Sequence, residues 1–207
     1  MIFTFTIQMV RLVISNIRET KNELLRNGYK LFREKGYNAT GIQEITQTVN
    51  VSKGSFYNHF KHKEIFANEV LKEFSATLEA EYAEALNNSE AEPLTVLRKF
   101  YQKKIDAVIN KEKFKKGCVV SNLCQEVADK YKDLAITIDS TFEVMAEPIK
   151  KCLDEAQLAG NLSQDKDTTL LAEMILNSWN GALMRVKASK SSKAFTAFMY
   201  SLDILLA

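Results

Sequence analysis

The sequence predicts an all-α protein of about nine helices, three in a small head and six in a larger body behind it. Two observations carry this expectation. Only seven Gly and two Pro occur in 207 residues, and sheets need many tight turns that those residues supply. Apolar residues recur at spacings of three and four, with Leu, Ala, Glu and Lys between them, and no stretch reads as a credible strand. The length fits one large domain or two small ones and suffices to bury a core.

The elements follow in order. Leu24, Leu25, Leu31 and Phe32 place a helix over about 17–35, with Gly28 available for a close helix contact and Gly36 as its C-terminal cap. Thr40 offers an N-cap, with Gln43 three residues on, to a short helix bearing Ile42, Ile45 and Val49. Ser52 caps a third helix, about 53–59. A long amphipathic helix follows over about 63–86, then a polar break at 87–92. Pro93 suits the first turn of a helix reaching about Asn110. Further helices are expected over about 118–129, over 131–158 with a kink or break at Pro148, over 167–187 and over 191–206. Residues 1–16 read as an arm or a helical extension, 17–64 as the head and 65–207 as the body. Met9 is a second candidate start beside Met1.

Charge separates the two parts. Residues 1–63 hold ten Lys/Arg against four Asp/Glu, whereas the whole chain is only +2. A basic head suits an anionic partner, nucleic acid first among them, or is a fluctuation of surface charge. The apolar N-terminus is shorter than the ~20 residues that span a bilayer and lacks the marks of a signal peptide. Three cysteines with no CxxC pair fit a reducing compartment, and a cytoplasmic protein is expected. Cys118 and Cys124, six apart, would point away from each other on one helix. An enzyme is not expected: the two histidines both lie at 59 and 62, no metal cluster or phosphate-binding loop occurs, and no cofactor is implied.

Two short helices joined by a three-residue turn match the helix-turn-helix plan, whose second helix presents its first residues to the major groove. Phe56 and Phe60, four apart, anchor that helix, leaving Lys53, Ser55, Tyr57, Asn58 and His59 outward. The run Val51-Ser52-Lys53-Gly54-Ser55-Phe56-Tyr57-Asn58-His59-Phe60-Lys61-His62-Lys63, preceded by Gly36-Tyr37, Thr40 and Ile45, resembles the signature of the TetR family of bacterial transcriptional regulators. That resemblance implies a DNA-binding head, a helical ligand-binding and dimerisation domain, and release of DNA by a small molecule. It implies phosphate contacts from Thr40, Tyr57 and Lys63, backbone or base-edge contacts from Lys53 and Ser55, and DNA-facing positions for Asn58 and His59, with Ser52 and Gly54 completing the DNA-binding set. It also implies a homodimer through the last two helices, about 167–206, and a pseudo-palindromic operator of double-stranded DNA.

Behind the head, Cys118, Asn122 and Glu126 fall at i, i+4 and i+8 and share one stripe. This arrangement resembles one subgroup of the family in which a cysteine senses electrophiles. Lys113, Lys115 and Lys116 precede Cys118 and would favour its thiolate, while the plain alternative is a small core residue. Phe100, Tyr101, Phe142 and Trp179 complete the candidate ligand-binding set, although aromatics at such positions also build cores. The competing class is a helical ligand-binding or protein-interaction module with no operator.

Overall fold

The computed structural model describes residues 2–87 and 91–207, with side chains described for 17–86 and 91–207. Among the described residues the secondary structure is wholly helical: α1 (Ile2–Lys35), α2 (Ile42–Thr48), α3 (Lys53–His59), α4 (Lys63–Asn87), α5 (Pro93–Asp106), α6 (Val119–Val127), α7 (Lys132–Leu158), α8 (Thr168–Ser189) and α9 (Lys193–Leu206). A π-helical turn, Ala107–Lys111, continues α5. The expected break at 87–92 includes residues 88–90, which lie outside the described residues.

Local chemistry bounds several of the helices. Gly36 takes φ +85° and its N–H bonds the Phe32 carbonyl at 3.0 Å, ending α1 in the left-handed conformation that glycine adopts without strain. Ser52 Oγ accepts from Ser55 N–H at 3.1 Å and starts α3. Glu92 accepts from the N–H groups of Leu94 and Thr95 ahead of Pro93, which sits in the first turn of α5. Asp167 caps α8 through Thr169 and Leu170.

Two expectations for the helices are corrected. Thr40 does not cap α2; Gly41 holds that position with no side-chain bond. The Thr40 hydroxyl instead donates to the Gly36 carbonyl at 2.7 Å and is fully buried. Of the kink or break expected at Pro148, the break is absent: α7 runs through the buried proline from Lys132 to Leu158.

Head and body share one continuous hydrophobic core. Gly28 lets α1 meet α4: a Cβ there would lie 2.6 Å from Phe66 Cε1, closer than real carbons approach. The head packs on α4 through Phe32, Phe56, Phe60 and Phe66, all fully buried. Phe66 meets Phe56 at 5.1 Å and Phe60 at 4.9 Å between centroids, both edge-on. Such pairs add about 0.5–1.5 kcal/mol each beyond area burial. In the body, α7 lies against α4, α5, α6 and α8, and α8 pairs with α9. No helix among the described residues is long and apolar enough to cross a membrane.

Candidate nucleic-acid interface and body cavities

The helix α3 is fixed from beneath and open above. Phe56 and its C-cap neighbour Phe60 are buried, while Ser52, Lys53, Gly54, Tyr57 and Asn58 are exposed on the opposite side. Tyr57 is 52% exposed, with its ring edge-on to Phe56 at 5.6 Å, so the phenol is aimed yet accessible. Ser55 and His59 are half-buried at the margin of this face. Burial, then the charge of Lys21, holds the His59 imidazole below its ordinary pKa. Within the chain, a Cβ at Gly54 would meet only Ser52 Oγ, at an ordinary 3.5 Å.

Thr40 and Lys63 are both bonded within the chain. The buried Thr40 hydroxyl offers nothing to a phosphate. The Lys63 ammonium donates to the Tyr37 carbonyl and lies 4.1 Å from the centre of the Tyr37 ring. Burial lowers the Lys63 pKa, and the charge of Glu126 partly offsets this. Both residues brace the turn between α1 and α2.

The same turn is where the body touches the head. Glu126 is bonded to the head: its Oε2 accepts from Asn38 N–H at 2.7 Å, and a Cβ on Gly36 would collide with its carboxylate. Glu126, one residue before the end of α6, is thus engaged by the turn that follows α1. Asn122 Nδ2 donates to the Arg33 carbonyl at 3.4 Å. Arg33 in turn grips the loop before α6, with Nε to the Gly117 carbonyl at 2.9 Å and both terminal nitrogens to Glu112 at 2.8 and 3.0 Å. Lys116 pairs with Glu34 at 3.5 Å, and Tyr131 packs on Tyr37 at 5.9 Å.

Two cavities meet at Cys118. The first, about 270 Å³, is lined by Tyr29, Arg33, Tyr82, Lys104, Glu112 and Trp179 among others. Lys104 lies 4.5 Å from the Tyr82 ring centre and 4.9 Å from that of Phe100, with Glu81 at 3.7 Å. Burial lowers its pKa against the opposing pull of Glu81. The second cavity, about 320 Å³, is lined by Cys118, Asn122, Cys124, Phe142, Asn180 and Leu183 among others. Cys118 and Cys124 are free and half-buried on the same cavity wall. They do not share one helix, because Cys118 has extended backbone and lies just ahead of α6.

Of the aromatic candidates, Trp179 borders the first cavity and Phe142 the second. Phe100 and Tyr101 line neither; they belong to a buried cluster in which Tyr101 meets Trp179 at 5.3 Å and Phe198 at 4.8 Å. Arg33, Lys104 and Asn180 were missed. Lys104 was findable, since it sits on the apolar register of α5, four residues after Phe100 and seven after Leu97. No cluster of His, Cys, Asp or Glu suited to a metal is present among the described residues.

Comparison with known proteins agrees at both ends of the chain. Residues 24–70 match the family described as bacterial regulatory proteins, tetR family, and residues 93–202 match the tetracyclin repressor-like C-terminal domain. The HTH-type transcriptional repressor DhaR of Mycobacterium sp. is 30% identical over 86% of this chain and 88% of its own. The transcriptional regulator AcuR of Cereibacter sphaeroides is 31% identical over 79% of this chain and 74% of its own. The crystal structure of a regulatory protein TetR from Rhodobacter sphaeroides has a TM-score of 0.81 at 29% identity, covering 87% of this chain and 95% of that one. The reduced form of Escherichia coli NemR has the same fold, with a TM-score of 0.82 at 23% identity over 89% of this chain and 95% of that one. The chain belongs to the TetR family of bacterial regulatory proteins and is a DNA-binding transcriptional repressor.

Proposed function

We propose that this repressor acts as a homodimer, places α3 of each head in a major groove of a pseudo-palindromic operator, and lets go when a small molecule occupies the cavities around Cys118. The observation that carries the DNA reading is the face of Ser52, Lys53, Gly54, Tyr57 and Asn58 standing clear of the buried Phe56 and Phe60. Lys53 and Tyr57 reach phosphates, Asn58 and Ser55 reach base edges, and His59 stands at the rim. Nothing inside the chain needs a glycine at 54, and close approach of α3 to the DNA backbone gives it a use.

The dimer reading rests on α8 and α9, which expose Leu170, Met174, Met184, Tyr200 and Ile204 at 50–70%. Apolar surface of that extent on one helix pair suits burial against a second copy. The release reading rests on the bonds of Arg33, Asn122 and Glu126, which tie the walls of the cavities to the end of α1. A ligand that moves α6 or its preceding loop changes the attitude of the head, by no more than its preference for one state over the other. Cys118, half-buried where the cavities meet, is the group an electrophile would modify.

The test is a gel shift with DNA from beside the protein's own gene at two salt concentrations, with and without a quinone. Specific binding that weakens with salt, and is lost in the folded Lys53→Ala/Tyr57→Ala double variant, is expected. Release by the quinone that fails in Cys118→Ser assigns the sensor. Unchanged affinity in the double variant overturns the DNA surface.

A further inference from the structure

The cavity walled by Tyr29, Arg33, Tyr82, Lys104 and Glu112 holds two cations in different states. Arg33 is complete. Its Nε goes to the Gly117 carbonyl and both terminal nitrogens go to Glu112, so this cation and the acceptors around it satisfy one another. Lys104 is incomplete. The carboxylate paired with it, Glu81, stands 3.7 Å away, beyond hydrogen-bond length. That side chain is 58% exposed while the lysine is 21% exposed, so the anion keeps its water and the cation has lost most of its own.

The ammonium is held inward by two features. Its stem rises from the apolar register of α5, four residues after Phe100 and four before Val108, both buried. Its head lies over the rings of Tyr82 and Phe100, at 4.5 and 4.9 Å from their centres. Lys99 and Lys103, on the same helix, are exposed instead. A methionine at 104 would fill the same space with no charge to desolvate. Tyr29, half-buried on the same cavity and stacked on Phe74 at 4.6 Å, adds a phenol that burial keeps protonated. With Glu112 and the Gly117 carbonyl taken by Arg33, the cavity is left with groups that donate. A cationic ligand would find the ring faces already occupied by Lys104.

We propose that Lys104 anchors a small ligand bearing a carboxylate in this cavity. The carboxylate accepts from the Lys104 ammonium, a group that only accepts meeting one that only donates. Glu81, already largely in water, yields the inner side of the ammonium to it. The carbon body of the ligand lies against the apolar wall of Phe74, Met145 and Leu183. A volume of about 270 Å³ admits one ring or a chain of similar size. This assignment rests on the reading of the cavities around Cys118 as the effector site.

The probes are benzoate and its uncharged counterpart benzamide, titrated by calorimetry into the full chain and its variants at one ionic strength. Benzoate is expected to bind the unaltered protein with a Kd of about 1 mM or tighter, and benzamide about tenfold more weakly or not at all. Lys104→Met is expected to lose benzoate binding about tenfold or more, and Lys104→Gln supplies the same loss should the methionine fail to fold. Lys99→Met, which removes an exposed lysine from the same helix, is expected to bind benzoate as the parent does. No benzoate binding up to about 10 mM, equal affinity for the two probes, or undiminished binding in a folded Lys104 variant overturns the proposal. So does an equal loss in Lys99→Met, which would assign the binding to general positive charge. Gel shifts with operator DNA, with and without benzoate, test the earlier reading separately: benzoate bound at Lys104 with operator affinity unchanged supports the site and overturns the effector role of the cavity.

Discussion

The head and the body are packed on opposite plans. Inside the head, Phe32, Phe56, Phe60 and Phe66 lock together with no exposed surface, and the turn between α1 and α2 is held by Thr40, Lys63 and the carbonyls they bond. The body keeps open space around Cys118, a half-buried lysine and a carboxamide with no partner. The difference follows from the two tasks. A helix that reads DNA must be presented at one attitude, so its support is rigid and its polar groups are used up internally. A part that answers a small molecule must keep room and unused hydrogen bonds for it, at a cost in its own stability.

Paired truncations give the largest effect and can break this contrast. Phe60→Ala in the head should cost about 3–5 kcal/mol in chemical denaturation, because the surrounding rings cannot close the hole. Phe142→Ala, on a wall already open to a cavity, should cost about 1 kcal/mol or less. Equal losses would dissolve the distinction. Next in size, Lys53→Ala should weaken operator binding by about tenfold and lower the salt slope by about 0.9, with the melting temperature unchanged. A shift in melting with no change in salt slope would place Lys53 in the support of the head.

Arg33 lies on the boundary and sharpens the comparison. Arg33→Lys keeps the charge and loses the two-point grip on Glu112, a pair about one-fifth to one-quarter exposed. Denaturation should report a loss of about 1–2 kcal/mol, and gel shifts should show weaker coupling between ligand and DNA. The smallest effect is a pH dependence. His59 has its pKa lowered from 6.5 by burial and then by Lys21. The unfolded imidazole therefore takes up its proton at a higher pH than the folded one. Stability from this group is fully present above about 6.5 and falls as pH drops towards the lowered value. A nearby phosphate favours the protonated ring, so operator affinity should rise severalfold over the same fall in pH. That rise should vanish in His59→Gln; a pH response that survives the change removes His59 from the DNA rim.

What was legible in the sequence follows the same division. The head could be read because its signals are local: a glycine ending α1, a serine starting α3, two phenylalanines four apart. Gly28 was recognisable as a close-contact site without its partner, Phe66, being identifiable. The misreadings came from contacts that spacing alone does not reveal. Thr40 looked like a cap because its spacing to Gln43 fits one, but the hydroxyl found the Gly36 carbonyl four residues behind it. Glu126 shared a stripe with Cys118, yet its partner, Asn38, lies 88 residues away. The π-helical turn at Ala107–Lys111 and the extended backbone of Cys118 leave no periodic trace, and together they decide how the cavities are walled. Asn180 was passed over because an amide on an apolar stripe is informative only once its lack of partners is known.

Gly36 and Glu126 form a unit of inheritance as well as a contact. Any side chain at 36 strains the φ of +85° and also strikes the Glu126 carboxylate. Those two penalties separate genetically: shortening residue 126 relieves the collision but leaves the backbone strain. A screen for suppressors of Gly36→Ala should therefore return changes at 126 that restore the protein only in part. At this junction a change in the head of the repressor constrains the body, and the reverse.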